Sequence, residues 1–379
     1  MNHFDEIKKY FFEITVQNSS NISYFKNNNS GIEEFTFENP YKDENFNQTA
    51  KKFYAIITPI IIVVGIVGNS FSLAVFCTKK LRNTSSSSCS MCLAALSLSD
   101  LLVIIFHVII EWSIRGLPDF INVSFDQWKW ANTDGICKVY LYVAYTLRMN
   151  SVGLIILFTL ERYIVVCHPL QRNIICTKRR IRNCIICVFF ISLILSSFKP
   201  SISDAKNNCG SSLRSKHAFI LDTCYGMLLT AVPFVSIVTM NAFILRQLTS
   251  RSHKFAIKSP RGRNTISKQF GITMLALSSC FVLLNLPYFV IWCMRLLYTE
   301  PSKRLSALLQ ITRGIFHFNY CINFFLYSLT GAYFRAELER IIYCKKSTSL
   351  VTGYISRHSV INNQIRENIP SEQKTYEMI

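Results

Sequence analysis

Several side chains in this sequence are of types, and at spacings, that can do chemistry. Asp100 lies inside a long apolar run, where a carboxylate is costly and normally faces an internal polar cavity. Ser151, Asn319 and Asn323, in other apolar runs, carry neutral oxygens that, with a carboxylate, suit a small hard cation. The plainer role for Asp100 is a hydrogen-bonded knot that ties helices together. Glu161-Arg162-Tyr163 sets an acid beside a base at the end of another run. There the two can pair and lower their shared desolvation cost, or simply snorkel at a boundary. Glu111, with His107, Arg148, Arg295, Arg313 and His317, would form a charged, partly aqueous mouth. In it Glu111 either receives a cationic group of a ligand or pairs internally with Arg148 or Arg313. Tyr145 and Phe316 add aromatic contacts there, although aromatics at helical spacing are more often packing. Most of the 14 Cys lie in or beside apolar runs and behave as small buried hydrophobes. The sequence holds no nucleophile–base constellation, no glycine-rich phosphate loop and no credible set of metal ligands, so an enzyme is the class least supported.

These residues need elements to position them, and the composition says which. Half of the 379 residues are hydrophobic and only 17% are charged, yet Lys and Arg (41) outnumber Asp and Glu (22). A single soluble domain usually carries about 25% charged residues, and disorder needs low hydrophobicity. What remains is a membrane protein with basic loops or a nucleic-acid binder. Runs of about 20 apolar residues can cross a bilayer. Seven such runs fall at 53–77, 89–110, 136–160, 183–198, 219–245, 270–294 and 305–329. The fourth is the shortest, and Arg182 and Lys199 at its ends are expected to snorkel to the headgroups and extend it. The predicted fold is an all-α membrane protein, a seven-transmembrane helix bundle over residues 51–330.

Lys and Arg in short loops set the orientation of such a bundle. Beyond the Glu161-Arg162 pair at the end of the third run, the first, third and fifth connections hold fifteen Lys and Arg and no acid, whereas residues 1–50 hold four Lys against eight acids. That predicts cytoplasmic basic loops and an outside N-terminus, in a multi-pass protein of the plasma membrane. It also removes the need for a nucleic-acid partner. Asn18, Asn21, Asn28, Asn47 and Asn122 open Asn-x-Ser/Thr triplets on the outer side and are the glycosylation candidates. Residues 1–50 thus read as an extracellular glycosylated arm. On the same oxidising side Cys137 is expected to pair with Cys209, or failing that with Cys224 in the fifth run. Residues 331–345 carry Phe334, Leu338, Ile341 and Ile342 on a helical stripe beside Arg and Lys. This predicts a short amphipathic eighth helix on inner-leaflet lipid. Cys344 is an S-palmitoylation candidate, and residues 346–379 read as a disordered cytoplasmic tail.

Taken in order, these motifs resemble the rhodopsin-like G-protein-coupled receptors over roughly residues 50–345. They are Gly68-Asn69, Leu96-Ser97-Leu98-Ser99-Asp100, Cys137, Ser151, Glu161-Arg162-Tyr163 and Cys167-His168-Pro169-Leu170. Pro233, Phe281 with Pro287, and Asn319 with Asn323-x-x-x-Tyr327 follow. Tyr163 to Leu170, Ile175-Cys176-Thr177 and Asn241 are similar to invertebrate receptors for FMRFamide-type neuropeptides. The resemblance implies a cell-surface receptor for an extracellular peptide, of the amidated Arg-Phe type. Such a receptor activates a heterotrimeric G protein by helix rearrangement and is handled by arrestin and receptor kinases. The resemblance also implies that Glu161, Arg162, Tyr163, Leu170, Phe281, Asn285, Pro287, Asn323 and Tyr327 serve activation and coupling. Asp100, Ser151, Asn319 and Asn323 would hold an allosteric sodium ion, with no other cofactor.

Some positions depart from the family pattern. Glu161 stands where Asp is commoner, Asn285 where a Trp precedes the Pro of the sixth run, and Phe324 where Pro follows the seventh-run Asn. Ser267 and Lys268 replace an acid that would lock Arg162. The excess of Arg over Glu in the mouth supports a second reading, a receptor for a lipid or small anionic ligand. Seven spans alone also suit a channel or transporter, which would leave Cys137, Arg162 and Asn323 unexplained together.

Overall fold

The computed structural model describes residues 40–78, 87–121, 133–204, 210–211, 216–255, 263–297 and 302–343. Six helices among them are long and apolar enough to cross a bilayer: Glu44–Phe76, Ser88–Arg115, Asp134–Cys167, Lys178–Ile202, Ile220–Gln247 and Ala276–Arg295. A helix is the natural form for such runs, since lipid leaves backbone N–H and C=O groups no partner but each other. Together with the helices Lys303–His317 and Asn319–Thr330 they form a bundle. Apart from a two-residue antiparallel pair, Ser203–Asp204 with Gly210–Ser211, no strand occurs among the described residues.

The seventh run, expected as one helix, is cut in two, Lys303–His317 and Asn319–Thr330. At the break Phe318 N–H donates to Ile315 O at 3.1 Å, and Asn319 Nδ2 donates to Phe316 O at 3.0 Å. The Asn side chain competes there for a carbonyl that a continuous helix would keep for its backbone. Phe324 lies inside the second piece without interrupting it, so the break sits six residues before the position where the family pattern has its Pro.

The second span carries another irregularity. It runs Ser87–Val103, widens into one π-helical turn over Ile104–Val108, and resumes as Ile109–Arg115. Such a turn holds an extra residue and re-aims the side chains beyond it. The first helix starts at Pro40, well before the expected 53. Pro suits a first turn because its missing N–H has no partner to lose there. Asn47 therefore stands on a helix rather than in a flexible arm. The glycosylation candidates Asn18, Asn21, Asn28 and Asn122, with Cys209, Cys344 and the tail 346–379, lie outside the described residues. The amphipathic helix spans Ala332–Ile342, in a second compact unit of the chain, where Glu337 and Arg340 pair at 2.8 Å.

Ile62, Val103, Ile104, Val108, Leu147, Phe316 and Tyr320 join the first, second, third and seventh spans in one core. Outward positions are equally apolar, with Val63, Val139 and Ile194 each more than 60% exposed. In water such a skin would be an aggregation liability; facing acyl chains it is the solvated side.

Close approach in the core explains Gly68. A Cβ there would stand 2.9 Å from the Phe324 Cβ, closer than packed carbons tolerate. Gly68→Val should therefore destabilise the bundle by roughly 1–3 kcal/mol through overpacking. A lower thermal-denaturation midpoint of the detergent-solubilised protein is the expected result, and an unchanged midpoint would refute this packing.

Candidate functional site

The lower part of the bundle centres on Asp100, which is 1% exposed. Its Oδ1 accepts from Ser151 Oγ and its Oδ2 from Asn323 Nδ2, each at 2.7 Å. One carboxylate thereby joins the second, third and seventh spans. Beside it Asn150 Nδ2 donates to Ser99 Oγ at 2.9 Å. Asn69 donates to Gly65 O and, at 2.6 Å, to Tyr320 O, linking the first span to the seventh. Of the four residues expected around a cation, three share hydrogen bonds, while the amide nitrogen of Asn319 is directed to the helix break.

At the inner end, Glu161 is 2% exposed, and its Oε1 accepts from Ser88 Oγ at 2.6 Å. Snorkelling at the boundary, one of the two roles expected for Glu161, does not occur. The acid bonds across to the second span, which offsets part of its desolvation. Arg162 lies with its guanidinium carbon 5.8 Å from the Phe158 ring centre. The Tyr163 hydroxyl approaches His168 Nε2 at 3.3 Å, and Leu170 is 91% exposed on the short helix Pro169–Ile175. Higher up, buried Asn285 donates to Phe281 O at 2.6 Å, two residues before Pro287. Asn241 Nδ2 donates to Ser278 Oγ at 2.7 Å, joining the fifth and sixth spans. Tyr327 is buried with its ring edge-on to Phe76.

The outer mouth is organised around Glu111. Its Oε1 faces Arg313 Nε at 3.3 Å and Arg115 Nε at 3.5 Å; its Oε2 faces His317 Nε2 at 3.3 Å and His107 Nε2 at 3.6 Å. Of the two roles weighed for this acid, internal pairing is the geometry observed, and the partner is Arg313 rather than Arg148. Arg115, one turn further on, adds a cation that the sequence reading did not include. Arg148 instead lies against rings, 5.1 Å from the Phe316 centre and 5.7 Å from that of Tyr145. Tyr225, Tyr288 and Tyr320 also surround it, and its Nε has no hydrogen-bond partner. Among the described residues no ion pair includes Arg148 or the exposed Arg295.

The structure corrects one expectation outright. Lys199 does not snorkel: it is 0% exposed and its Nζ donates to Asp222 Oδ1 of the fifth span. The ammonium also stands 4.0 Å over the Tyr145 ring, which lies tilted against Tyr225 at 4.7 Å between ring centres. A carboxylate and a ring face together outweigh the distant headgroups. The signal for this pair was present in the sequence, since Asp222 is an acid in an apolar run like Asp100. Nearby, Cys137 is disulfide-bonded and Cys224, the alternative partner, is a free thiol.

With this geometry in place, comparison with known proteins is informative. The sequence model of the family described as "7 transmembrane receptor (rhodopsin family)" matches residues 68–327. The chain is 24% identical over 340 residues to the thyrotropin-releasing hormone receptor of Bos taurus, covering 77% of this chain and 79% of that one. It is 22% identical over 327 residues to the FMRFamide receptor of Drosophila melanogaster, covering 81% of this chain and 57% of that one. A shorter stretch of 149 residues is 33% identical to an FMRFamide peptide receptor of Caenorhabditis elegans, covering 37% and 30% of the two chains.

The buried pair between the fourth and fifth spans makes a direct prediction. Removing one partner of a buried ion pair strands the other, at about 3–5 kcal/mol, whereas replacing both by apolar residues is often tolerated. Lys199→Met and Asp222→Leu should each reduce cell-surface expression of an epitope-tagged chain, and the double variant should recover much of it. Flow cytometry reads the outcome; additive losses in the double variant would show that the two charges act independently.

Proposed function

The chain belongs to the rhodopsin family of seven-transmembrane receptors, and on that premise we propose that it binds an extracellular neuropeptide at the plasma membrane and signals to a heterotrimeric G protein. As a member of that family it is a multi-pass membrane receptor and not an enzyme. In this reading the N-terminus is outside, Cys137 is bridged to Cys209, and the basic inner loops face lipid, G protein and arrestin. Relatives named as receptors for a releasing hormone and for FMRFamide peptides support a peptide ligand.

The observation that carries the reading is Arg148. The guanidinium is mostly buried against ring faces, and its Nε has no acceptor. A peptide carbonyl or amidated C-terminus supplies one, and a hydrogen bond to a charged group contributes about 1.5–3 kcal/mol. A guanidinium or ammonium of the ligand, by contrast, meets a carboxylate that Arg313 and Arg115 already face. Tyr145 and Phe316 would flank the ligand. Agonist then favours whichever helix arrangement it binds better, and Pro233 and Pro287 give the fifth and sixth spans places to bend. The exposed Leu170 and the Glu161-Arg162-Tyr163 end would receive the G protein. Sodium held by Asp100, Ser151 and Asn323 would favour the resting arrangement. An anionic lipid or small anion would also satisfy Arg148 and is the second reading.

Both readings are separable in transfected cells that report calcium and cyclic AMP. Amidated peptides should activate the receptor where anionic lipids do not. Arg148→Ala should then weaken the active peptide by about tenfold or more at normal surface expression. Activation by lipids alone would establish the second reading. In membranes, Asp100→Asn should abolish any effect of sodium on agonist affinity; a sodium effect that survives the change would remove the ion from this position.

A further inference from the structure

We propose that the second and seventh spans build a zinc-binding site at the outer mouth from His107, Glu111 and His317. The ligand atoms of these three side chains lie within 4.8 Å of one another. Both imidazoles turn Nε2 to the same carboxylate oxygen, Glu111 Oε2, at 3.6 Å from His107 and 3.3 Å from His317. Two ligand atoms about 2.0–2.1 Å from one zinc ion, at a tetrahedral angle, stand about 3.3–3.5 Å apart. The observed separations match that spacing and are long for hydrogen bonds.

The surroundings support the assignment. Arg313 and Arg115 both occupy Glu111 Oε1 and leave Oε2 to the histidines. Donors on the non-ligating oxygen are the partners that hold a metal-binding carboxylate in orientation. His317 is fully buried and neither of its ring nitrogens has a hydrogen-bond partner; His107 Nδ1 is unsatisfied as well. Buried polar atoms without partners call for an explanation, and an ion on the Nε2 atoms supplies part of one. Two imidazoles and one carboxylate are a donor set of zinc sites that keep a fourth position open; calcium and magnesium prefer oxygen alone.

Two fold irregularities lie beside the cluster. His107 lies in the π turn Ile104–Val108, four residues before Glu111, and His317 is the last residue before the break at Phe318. Glu111 is 15% exposed and Arg115 49%, so an ion can enter from the mouth. The two guanidinium groups oppose its charge across the carboxylate, which makes binding reversible rather than structural. Once bound, the ion ties the second span to the seventh and so biases the helix arrangement that both spans share.

The full-length receptor, freed of metal and titrated with zinc chloride against a fluorescent chelator, should take up one equivalent. His107→Ala or His317→Ala should weaken uptake by at least about tenfold, whereas His317→Cys, which restores a ligand atom, and exposed His217→Ala should hold it within about threefold. X-ray absorption should show nitrogen and oxygen around the zinc of the unaltered receptor, and one added sulfur in His317→Cys. No uptake by the unaltered receptor, sulfur-only ligation, or undiminished affinity in both Ala variants would each overturn the site. If the Ala variants fail to fold, the spectra of the unaltered receptor and of His317→Cys decide.

Discussion

Bringing an ionised side chain into a lipid-spanning bundle strips its hydration, a cost of several kcal/mol that only a well-placed partner offsets. The bundle meets this constraint with a different partner in each place. Asp100 takes a hydroxyl and an amide, Glu161 a hydroxyl, Lys199 a carboxylate and a ring, and Glu111 two guanidinium groups. Most of these partners sit on another span. The pairs therefore cross-link spans two and three, two and seven, and four and five. Apolar helices in lipid have little hydrophobic reason to choose one register over another, so it is the buried polar groups that fix which helix faces which.

The helix irregularities serve the same constraint. The π turn over Ile104–Val108 shifts His107 and Glu111 around the second span relative to the residues before it. In the seventh span the break follows His317, so His317 and Arg313 belong to one helix and Asn323, bound to Asp100, to the next. The two halves of that span can thus answer to different polar clusters. In the sixth, Asn285 attaches to the Phe281 carbonyl just before Pro287, where the helix loses a donor. Departures from ideal helix occur beside the groups that hold charge or bend the bundle.

Much of this was legible in the sequence because the relevant signals are local. Apolar runs of bilayer length located six spans, within two residues at half of their ends and four to nine at the others, and the cost of a carboxylate in lipid singled out Asp100 together with two of its hydrogen-bond partners. The long-range pairings were harder. Lys199 at the edge of a short run has two ways to avoid desolvation, headgroups or a counter-ion, and only the packing of the fourth span on the fifth selects Asp222. The first helix could not be extended back to Pro40 from hydropathy, because residues 40–52 are polar. The break at Phe318 was invisible for a different reason. The spacing of Asn319 suits a cation ligand, and nothing in it shows that its amide takes a backbone carbonyl instead.

Arg148 stands apart from the groups that the bundle neutralises. Its guanidinium rests on the faces of Tyr145 and Phe316, and ring faces attract a cation by about 0.5–2 kcal/mol without using its N–H donors. Glu111 and Asp222, in contrast, already have cations. For a peptide, the mouth is thus better matched to ligand acceptors than to ligand cationic side chains. This asymmetry follows from which spans carry the acids: one on the second and one on the fifth, each claimed by a neighbouring helix before it can reach the third. On the proposed reading, an acceptor bound at Arg148 also touches Tyr145 of the third span and Phe316 of the seventh. Phe316 lies two residues before the helix break, and its own carbonyl is held by Asn319. Ligand contact and the break in the seventh span therefore meet at one residue, which gives the agonist a physical grip on the segment that reaches down to Asn323 and Asp100.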